Sequence, residues 1–299
     1  MKIESIAITN VGKIRDNNED NFFLCGRYKE DVGENTLICS CDTAAEEYLF
    51  GVCDGMGGAQ YGELAALIAV KAMAKYAKHF DADCQKCIDE ANGLICDEIT
   101  NRGGRRIGTT FSALSIKDGV ARGYNVGDSR IYMLRGGKLS QLSVDHTQVQ
   151  MLVNQGIITP EAAKTHRDRH VLTQHLGIFP DEMIIEPYST GEIGLQAEDM
   201  FLLCSDGLTD MVEDEKICEI LSAGDDTAAT ANRLVDTALS NGGRDNVTVV
   251  LVKASKESSN EADLADIEQR LRNRVMEKFG KVNEALIAEV MQKVKERMK

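Results

Sequence analysis

The chain has 299 residues, 43% of them hydrophobic and 27% charged, with a net charge of −14. That length suits one large domain, or one domain plus an extension, of ordinary globular composition. The acidic balance argues against charge-driven binding of nucleic acid or an anionic membrane, and no apolar run approaches the roughly 20 residues that span a bilayer.

In chain order, Met1-Lys2-Ile3-Glu4-Ser5 lacks the apolar core of a signal peptide, so a cytoplasmic location is expected. Residues 3–9 alternate apolar and polar side chains and predict a strand. The polar cluster Arg15-Asp16-Asn17-Asn18-Glu19-Asp20 follows. Tyr48 to Cys53 is an apolar run closed by Asp54-Gly55-Met56-Gly57-Gly58, the pattern of a buried strand that delivers a carboxylate at its tip. Residues 62–80 place Leu64, Leu67, Ile68 and Ala72 on one helical face, and a second helix is expected over Asp83 to Asn101. Two hairpins come next. Thr109 to Ile116 and Val120 to Val126 turn at Lys117-Asp118-Gly119; Arg130 to Leu134 and Lys138 to Leu142 turn at Gly136-Gly137.

Residues 146–176 hold short helical stretches, Gln148 to Gln155 and Pro160 to Lys164, and four of the five histidines: His146, His166, His170 and His175. This segment reads as a flap inserted over a sheet edge. A strand over 199–204 then closes in Ser205-Asp206-Gly207, helices are expected near Glu213 to Leu221 and Thr227 to Ser240, and Gly242-Gly243-Arg244-Asp245-Asn246 leads into a β-branched strand, Val247 to Val252. Many strands with paired long helices imply two or four layers of sheet and helix.

After Ala254 the character changes. Residues 255–260 form a polar linker, and 261–299 are charged and helical, with nine basic and eight acidic residues (9 − 8 = +1). Ile267, Leu271, Val275, Phe279, Val282, Leu286, Val290 and Val294 recur at three or four positions on one helical face, interrupted near Gly280. The extension would dock on its own domain, self-associate or bind a partner, or stay disordered.

Of nine cysteines, Cys53 and Cys204 sit inside apolar strands. Cys39-Ser40-Cys41 and Cys84-Gln85-Lys86-Cys87 lack a second pair or a histidine pair to complete a zinc site, so free thiols are expected.

Carboxylates at strand tips must be paired, protonated or bound to a cation, because an isolated buried charge is costly. Asp54, Asp206 and Asp245, each followed by Gly or Asn, suit hard divalent ions held by oxygen. Arg15, close before Glu19 and Asp20, offers a forked donor to phosphate. Together these fit a two-metal phosphate hydrolase. His166 and His170 have the spacing of a helical chelating pair, although a solvated flap is the expected state, and Arg167 and Arg169 could instead contact a phosphosubstrate. His146 is expected to pack or hydrogen-bond.

The chain resembles the metal-dependent Ser/Thr protein phosphatases of the protein phosphatase 2C type, in their bacterial form. The matching stretches are Arg15 to Asp20, Asp54 to Gly58, Gly108-Thr109-Thr110, Asn125 to Arg130, Asp145-His146-Thr147, Ser205 to Asp210 and Arg244-Asp245-Asn246, in family order over residues 1–254. The resemblance implies an α+β fold, a four-layer α-β-β-α sandwich of two antiparallel sheets, with residues 1–254 as the catalytic domain. It implies two or three Mn or Mg ions. Asp54 would bridge two of them, Asp206 and Asp245 would bind the first, and Glu19 and the Gly55 carbonyl the second. Asp20 would hold metal-bound water, Asp128 with Asp206 would form a weaker third site, and Arg15 would bind the substrate phosphate. A metal-bridging hydroxide would attack phosphoSer or phosphoThr directly in phosphorylated protein substrates, opposing a bacterial Ser/Thr kinase. Met56 stands where many eukaryotic members have a histidine proposed as general acid. A thioether cannot donate a proton, so leaving-group protonation would fall to metal-bound water. Two other readings are a non-catalytic relative acting through its helical tail and a hydrolase of small phosphate esters.

Overall fold

The computed structural model describes residues 1–41, 45, 47–57, 61–256, 268–269, 271–272 and 284–297. The chain divides into two units, Met1–Ser255 and Lys256–Lys299.

In the first unit, one six-stranded sheet joins β1 (Lys2–Asn10), β3 (Thr36–Cys41), β9 (Arg130–Arg135), β10 (Lys138–Gln141), β13 (Met200–Cys204) and β14 (Val247–Ser255), in the order β10-β9-β13-β14-β1-β3. The second contains β2 (Asn21–Leu24), β4 (Glu47–Cys53), β7 (Phe111–Lys117), β8 (Val120–Val126) and β11 (Tyr188–Ser189), in the order β11-β8-β7-β4-β2, with β12 (Ile193–Gly194) also on β8. A small ladder pairs β5 (Gly55–Met56) with β6 (Gly108–Thr109). Every pairing is antiparallel.

Side-chain alternation along each strand sorts the apolar residues into three layers. Ala7, Phe50, Val52, Leu114, Phe201, Leu203, Val250 and Val252 meet between the sheets. Leu49, Cys53 and Phe111 point the other way, onto α1 (Gly62–Tyr76) and α2 (Phe80–Asn101). Ile8, Leu202, Cys204 and Leu251 point onto α5 (Asp206–Thr209), α6 (Asp214–Leu221) and α7 (Thr227–Ser240). The result is the four-layer α-β-β-α sandwich. It also explains why Tyr48 to Cys53 and Met200 to Cys204 read as unbroken apolar runs: both faces of each strand are covered.

The hairpins turn where expected, with Asp118 and Gly119 at φ 51° and 73°, and Gly136 and Gly137 at φ 58° and 76°. Both pairs have the left-handed backbone of a two-residue hairpin loop. α1 stops at Tyr76 rather than residue 80, because His79 takes a left-handed φ of 64° and α2 starts immediately after it. Its buried face is built mainly from Ala65, Ala66, Leu67, Ala69, Val70 and Met73, while Leu64 and Ile68 are half-buried. β2 and β3 carried no strand signal. β2 has four residues, and β3 is an edge strand with alternating exposure.

The flap follows β10 and contains α3 (Gln148–Asn154) and α4 (Pro160–Lys164), each capped by a threonine hydroxyl, Thr147 or Thr159. Bridges Thr147↔Leu172 and Thr109↔Leu176 pin its base. Ser255, read as linker, is the last residue of β14, opposite Lys2. All nine cysteines are free. Burial pushes the Cys53 and Cys84 thiols up, Cys53 beside Cys87 and the Asp20 and Asp54 carboxylates and Cys84 beside Cys87.

In the second unit, α8 spans Glu284–Arg297, and Arg272 pairs with Glu268 and Glu284. Among its described side chains Ile287 and Met291 are buried and Val290 and Val294 half-buried, and the side chain of Leu286 lies outside the described residues. Ile267, Val275, Phe279, Gly280, Val282 and linker residues 257–260 lie outside the described residues. No described helix is long and apolar enough to cross a membrane.

Candidate active site

Strand register gathers the acidic segments at one end of the sandwich. Cys53 pairs with Asn21, which sets Asp54 beside Asp20. Cys204 pairs with Val249, and Val247 with Asn10, so Asp206 and Asp245 come from neighbouring strand ends with the Arg15–Asp20 loop between them. Asp128 follows β8 of the opposite sheet. A cleft of about 850 Å³ is lined by Arg15, Glu19, Asp54, Gly55, Met56, Asp128, His170, Asp206, Asp210 and Asp245, among others. Asp20 lies behind this wall, 1% exposed, where the Ser205 hydroxyl donates to its Oδ2 at 2.7 Å. Gly58 lies outside the described residues.

Hydrogen bonds fix Asp54 and Glu19 through their backbones. The Asp54 N–H donates to Thr110 Oγ1 at 2.8 Å, and its carbonyl accepts from Thr109 Oγ1 and from the Thr110 N–H, both at 2.9 Å. Asn246 clips the Arg15–Asp20 loop to β14. Its Nδ2 donates to the Val11 and Asn17 carbonyls at 2.9 Å, and its Oδ1 accepts the Glu19 N–H at 2.8 Å. Lys29, fully buried, donates to the Asn18 carbonyl at 2.6 Å. Glu19 accepts the backbone N–H of Gly62 at the start of α1. Asn246, Lys29 and Thr110 were not singled out as site residues. The Gly-Thr-Thr and Asp-Asn dipeptide contexts carried the signal for two of them, and nothing local marks Lys29.

Burial, then mutual repulsion, dominates the electrostatics. Asp54 is held well above the usual carboxylate range by burial and by Asp20, Asp206, Asp128 and Asp245. Asp128 is raised by burial and by Asp206. Glu19 is raised by burial and by Glu63. Burial pushes Asp20 up to about 7 against the pull of its Thr248 and Ser205 hydrogen bonds. Carboxylates massed this way hold protons unless a cation replaces them, and an all-oxygen donor set of this charge suits a divalent ion. The residues present therefore fit the metal chemistry expected of them.

Arg15 Nη2 donates to Asp245 Oδ2 at 2.7 Å across the cleft mouth. Met56 lines the cleft, paired opposite Gly108. His146 hydrogen-bonds as expected: its N–H donates to the Gly127 carbonyl at 2.8 Å and its Nδ1 accepts the Gly127 N–H at 3.4 Å. The helical His166–His170 pair does not form, because residues 167–170 are turns. His166 Nδ1 accepts the Asp168 N–H at 3.2 Å. His170 turns instead to Asp206 and Asp210, at 3.5 and 3.3 Å. Arg169 pairs with Asp210 at 3.3 Å, and Arg167 with Asp168 at 3.2 Å. Among the described residues, one set of three possible ligands has its atoms all within 4.8 Å of one another: Asp128, His170 and Asp206. Asp54 and Asp245 share the cleft without being gathered that tightly.

Residues 36–252 match the family model described as protein phosphatase 2C. The chain is 34% identical over 250 residues to the serine/threonine protein phosphatase PstP of Mycobacterium tuberculosis, covering 80% of this chain and 43% of that protein. It thus spans less than half the length of that relative. It is 32% identical over 265 residues to the protein phosphatase PhpP of Streptococcus pneumoniae, covering 86% of this chain and all of that protein. The crystal structure of M. tuberculosis PstP superposes with a TM-score of 0.71 at 31% identity, covering 85% of this chain and 100% of that one. The PstP catalytic domain in complex with two manganese ions gives a TM-score of 0.69 at 31% identity, covering 85% and 99%.

Proposed function

The chain belongs to the protein phosphatase 2C family, and from that premise we propose that it is a metal-dependent protein serine/threonine phosphatase whose catalytic unit is residues 1–254. The observation that carries this reading is the meeting of Asp54, Asp206, Asp245 and Glu19 with Arg15 in a single cleft. Asp54, at the tip of β4, would serve two cations, Asp206 and Asp245 would hold one of them, and Glu19 with the Gly55 carbonyl the other. Asp20 would act from behind, and Asp128 with Asp206 would offer a third position. Bound manganese or magnesium ions would supply an activated water near neutral pH and neutralise charge on the phosphoryl oxygens.

The protein's own residues bind and orient. Arg15 presents a forked guanidinium that can exchange Asp245 for two phosphate oxygens. The bonds from Thr109, Thr110 and Asn246 hold the carboxylates in place before substrate arrives, which is how a fixed site lowers a barrier without reorganising. Met56 donates no proton, so the leaving group takes its proton from elsewhere. The substrates on this reading are phosphoserine and phosphothreonine proteins, and the physiological counterpart is a Ser/Thr kinase. For residues 261–299 the proposed role is self-association or partner binding.

The test is manganese-dependent phosphate release from a phosphothreonine peptide and from small phosphate esters. Asp54→Asn and Asp206→Ala should abolish turnover, with the peptide the better substrate of the wild-type chain. Near-wild-type turnover in either variant refutes the metal assignment, and preference for the small esters refutes the protein-substrate assignment.

A further inference from the structure

Three elements far apart in sequence converge beside the main cluster. Asp128 comes from the tip of β8, Asp206 from the tip of β13 and His170 from the flap, with one ligand atom from each within 4.8 Å of the others. The two ring nitrogens of His170 have different neighbours. Nδ1 faces Asp206 Oδ2 at 3.5 Å, and Nε2 faces Asp210 Oδ2 at 3.3 Å. The same Asp210 oxygen also takes Arg169 Nη2 at 3.3 Å. Metal-bound histidines characteristically donate the second ring N–H to a carboxylate, which fixes the tautomer and ring plane. Asp210, itself held by Arg169, is placed to do this. A carboxylate oxygen of Asp128 lies within 4.8 Å of the ligand atoms of both His170 and Asp206.

Resting on the metal-dependent reading above, we propose that His170 Nδ1 is a cation ligand together with Asp128 and Asp206, that Asp210 is its positioning residue, and that this nitrogen makes the site prefer manganese to magnesium. Ligand atoms about 2.0–2.2 Å from an ion stand about 3–4 Å apart, so atoms as far as 4.8 Å from one another need to close by about 1–2 Å. Imidazole binds first-row transition ions in preference to magnesium, which selects oxygen. A cation here also ties the flap to both sheets. His170 is 44% exposed at its side chain, and the flap is otherwise held by the bridges at its base and by the surface pairs Arg169–Asp210 and Lys164–Glu213. Occupancy of this site therefore sets how the flap lies over the groove of about 380 Å³ that adjoins the cleft at Asp128, His170, Asp206 and Asp210.

The experiment is calorimetric titration of the full chain with Mn²⁺ alone and with Mg²⁺ alone, for wild type, His170→Gln, His166→Gln, Asp210→Ala and Asp54→Asn. Expected is a loss of about tenfold or more in Mn²⁺ affinity at the weakest site in His170→Gln, which is about 1.4 kcal/mol. Mg²⁺ binding there should be nearly unchanged, as should all binding by His166→Gln. Asp210→Ala should lower the same Mn²⁺ affinity about tenfold. Tryptic cleavage after Arg167 should slow with Mn²⁺ in wild type and not in His170→Gln. Unchanged Mn²⁺ affinity in His170→Gln, with Asp54→Asn losing tight binding, overturns this inference and leaves the metal-dependent reading standing. Undiminished tight binding in Asp54→Asn overturns that reading instead.

Discussion

Gly62→Ala probes the coupling of fold and site most directly. Gly62 opens α1, and a Cβ built there would lie 2.6 Å from Glu19 Oε2, 2.7 Å from Glu19 Cδ and 2.9 Å from the Gly55 carbonyl carbon. Ordinary contact begins at 3.4 Å, so Glu19 must retreat by about 0.8 Å, and the Gly55 backbone by less. The Glu19 carboxylate can swing away, which keeps the stability cost at about 1–3 kcal/mol. Its position relative to Asp54 cannot then be kept. A misplacement of about 1 Å costs on the order of 100-fold in rate. The assay is phosphopeptide turnover against Mn²⁺ concentration, beside a thermal melt. Expected is a turnover about 10–100-fold lower, with more Mn²⁺ needed for half-maximal rate. The control is Gly93→Ala inside α2, where a Cβ meets nothing within 4 Å. It should stabilise by about 0.5–1 kcal/mol and leave the rate alone. A Gly62→Ala protein with wild-type rate and Mn²⁺ dependence would refute the placement of Glu19 as a ligand held against α1.

Arg15→Ala should lower kcat/KM by about 10–100-fold, from the loss of a charge-assisted bond worth about 1.5–3 kcal/mol, and Arg15→Lys should restore little because the fork is gone; equal kcat/KM in all three proteins would exclude phosphate binding. Arg130 holds Asp145 through bonds of 2.7 and 3.0 Å, with Asp145 8% exposed, so Arg130→Ala should cost about 3–5 kcal/mol in denaturant unfolding. A change under about 1 kcal/mol would show the pair to be dispensable. The raised carboxylates set the pH dependence. A carboxyl whose folded pKa is raised contributes stability below its unfolded value, and that contribution is lost as pH rises through the folded value. Stability of the chelator-treated protein should therefore fall as pH rises from about 4 through about 7, where Asp20 loses its proton. Cations displace those protons, so the rise in Tm on adding Mn²⁺ should be larger at about pH 8 than at about pH 6. An equal rise at both would contradict the proton–cation exchange.

Much of this was written locally. Tyr48 to Cys53 and Met200 to Cys204 announce buried strands, and each ends in an Asp-Gly that needs a partner for its charge. Asp118-Gly119 and Gly136-Gly137 can adopt the left-handed backbone that closes a hairpin, so those turns are legible residue by residue. The candidate ligands Asp54, Asp206 and Asp245 were recoverable because a carboxylate at a strand tip is unusual enough to be noticed without its neighbours.

What the tertiary structure decided is which of these groups meet. β2 and β3 gain their stability from the strands beside them, not from a pattern of their own, so their four and six residues gave no signal. His170 has the spacing of a helical pair with His166, although a solvated flap is the expected state. Backbone turns separate the two, and packing of the flap carries His170 to Asp206 and Asp210. Lys29 is invisible in sequence because its partner, the Asn18 carbonyl, is a backbone group present at every position. Sequence by itself determined the chemistry of the side chains and the period of the strands. Register and sheet pairing determined the distances, because a carboxylate's pKa and its capacity to bind a cation depend on charges a few ångströms away in space, wherever they fall along the chain.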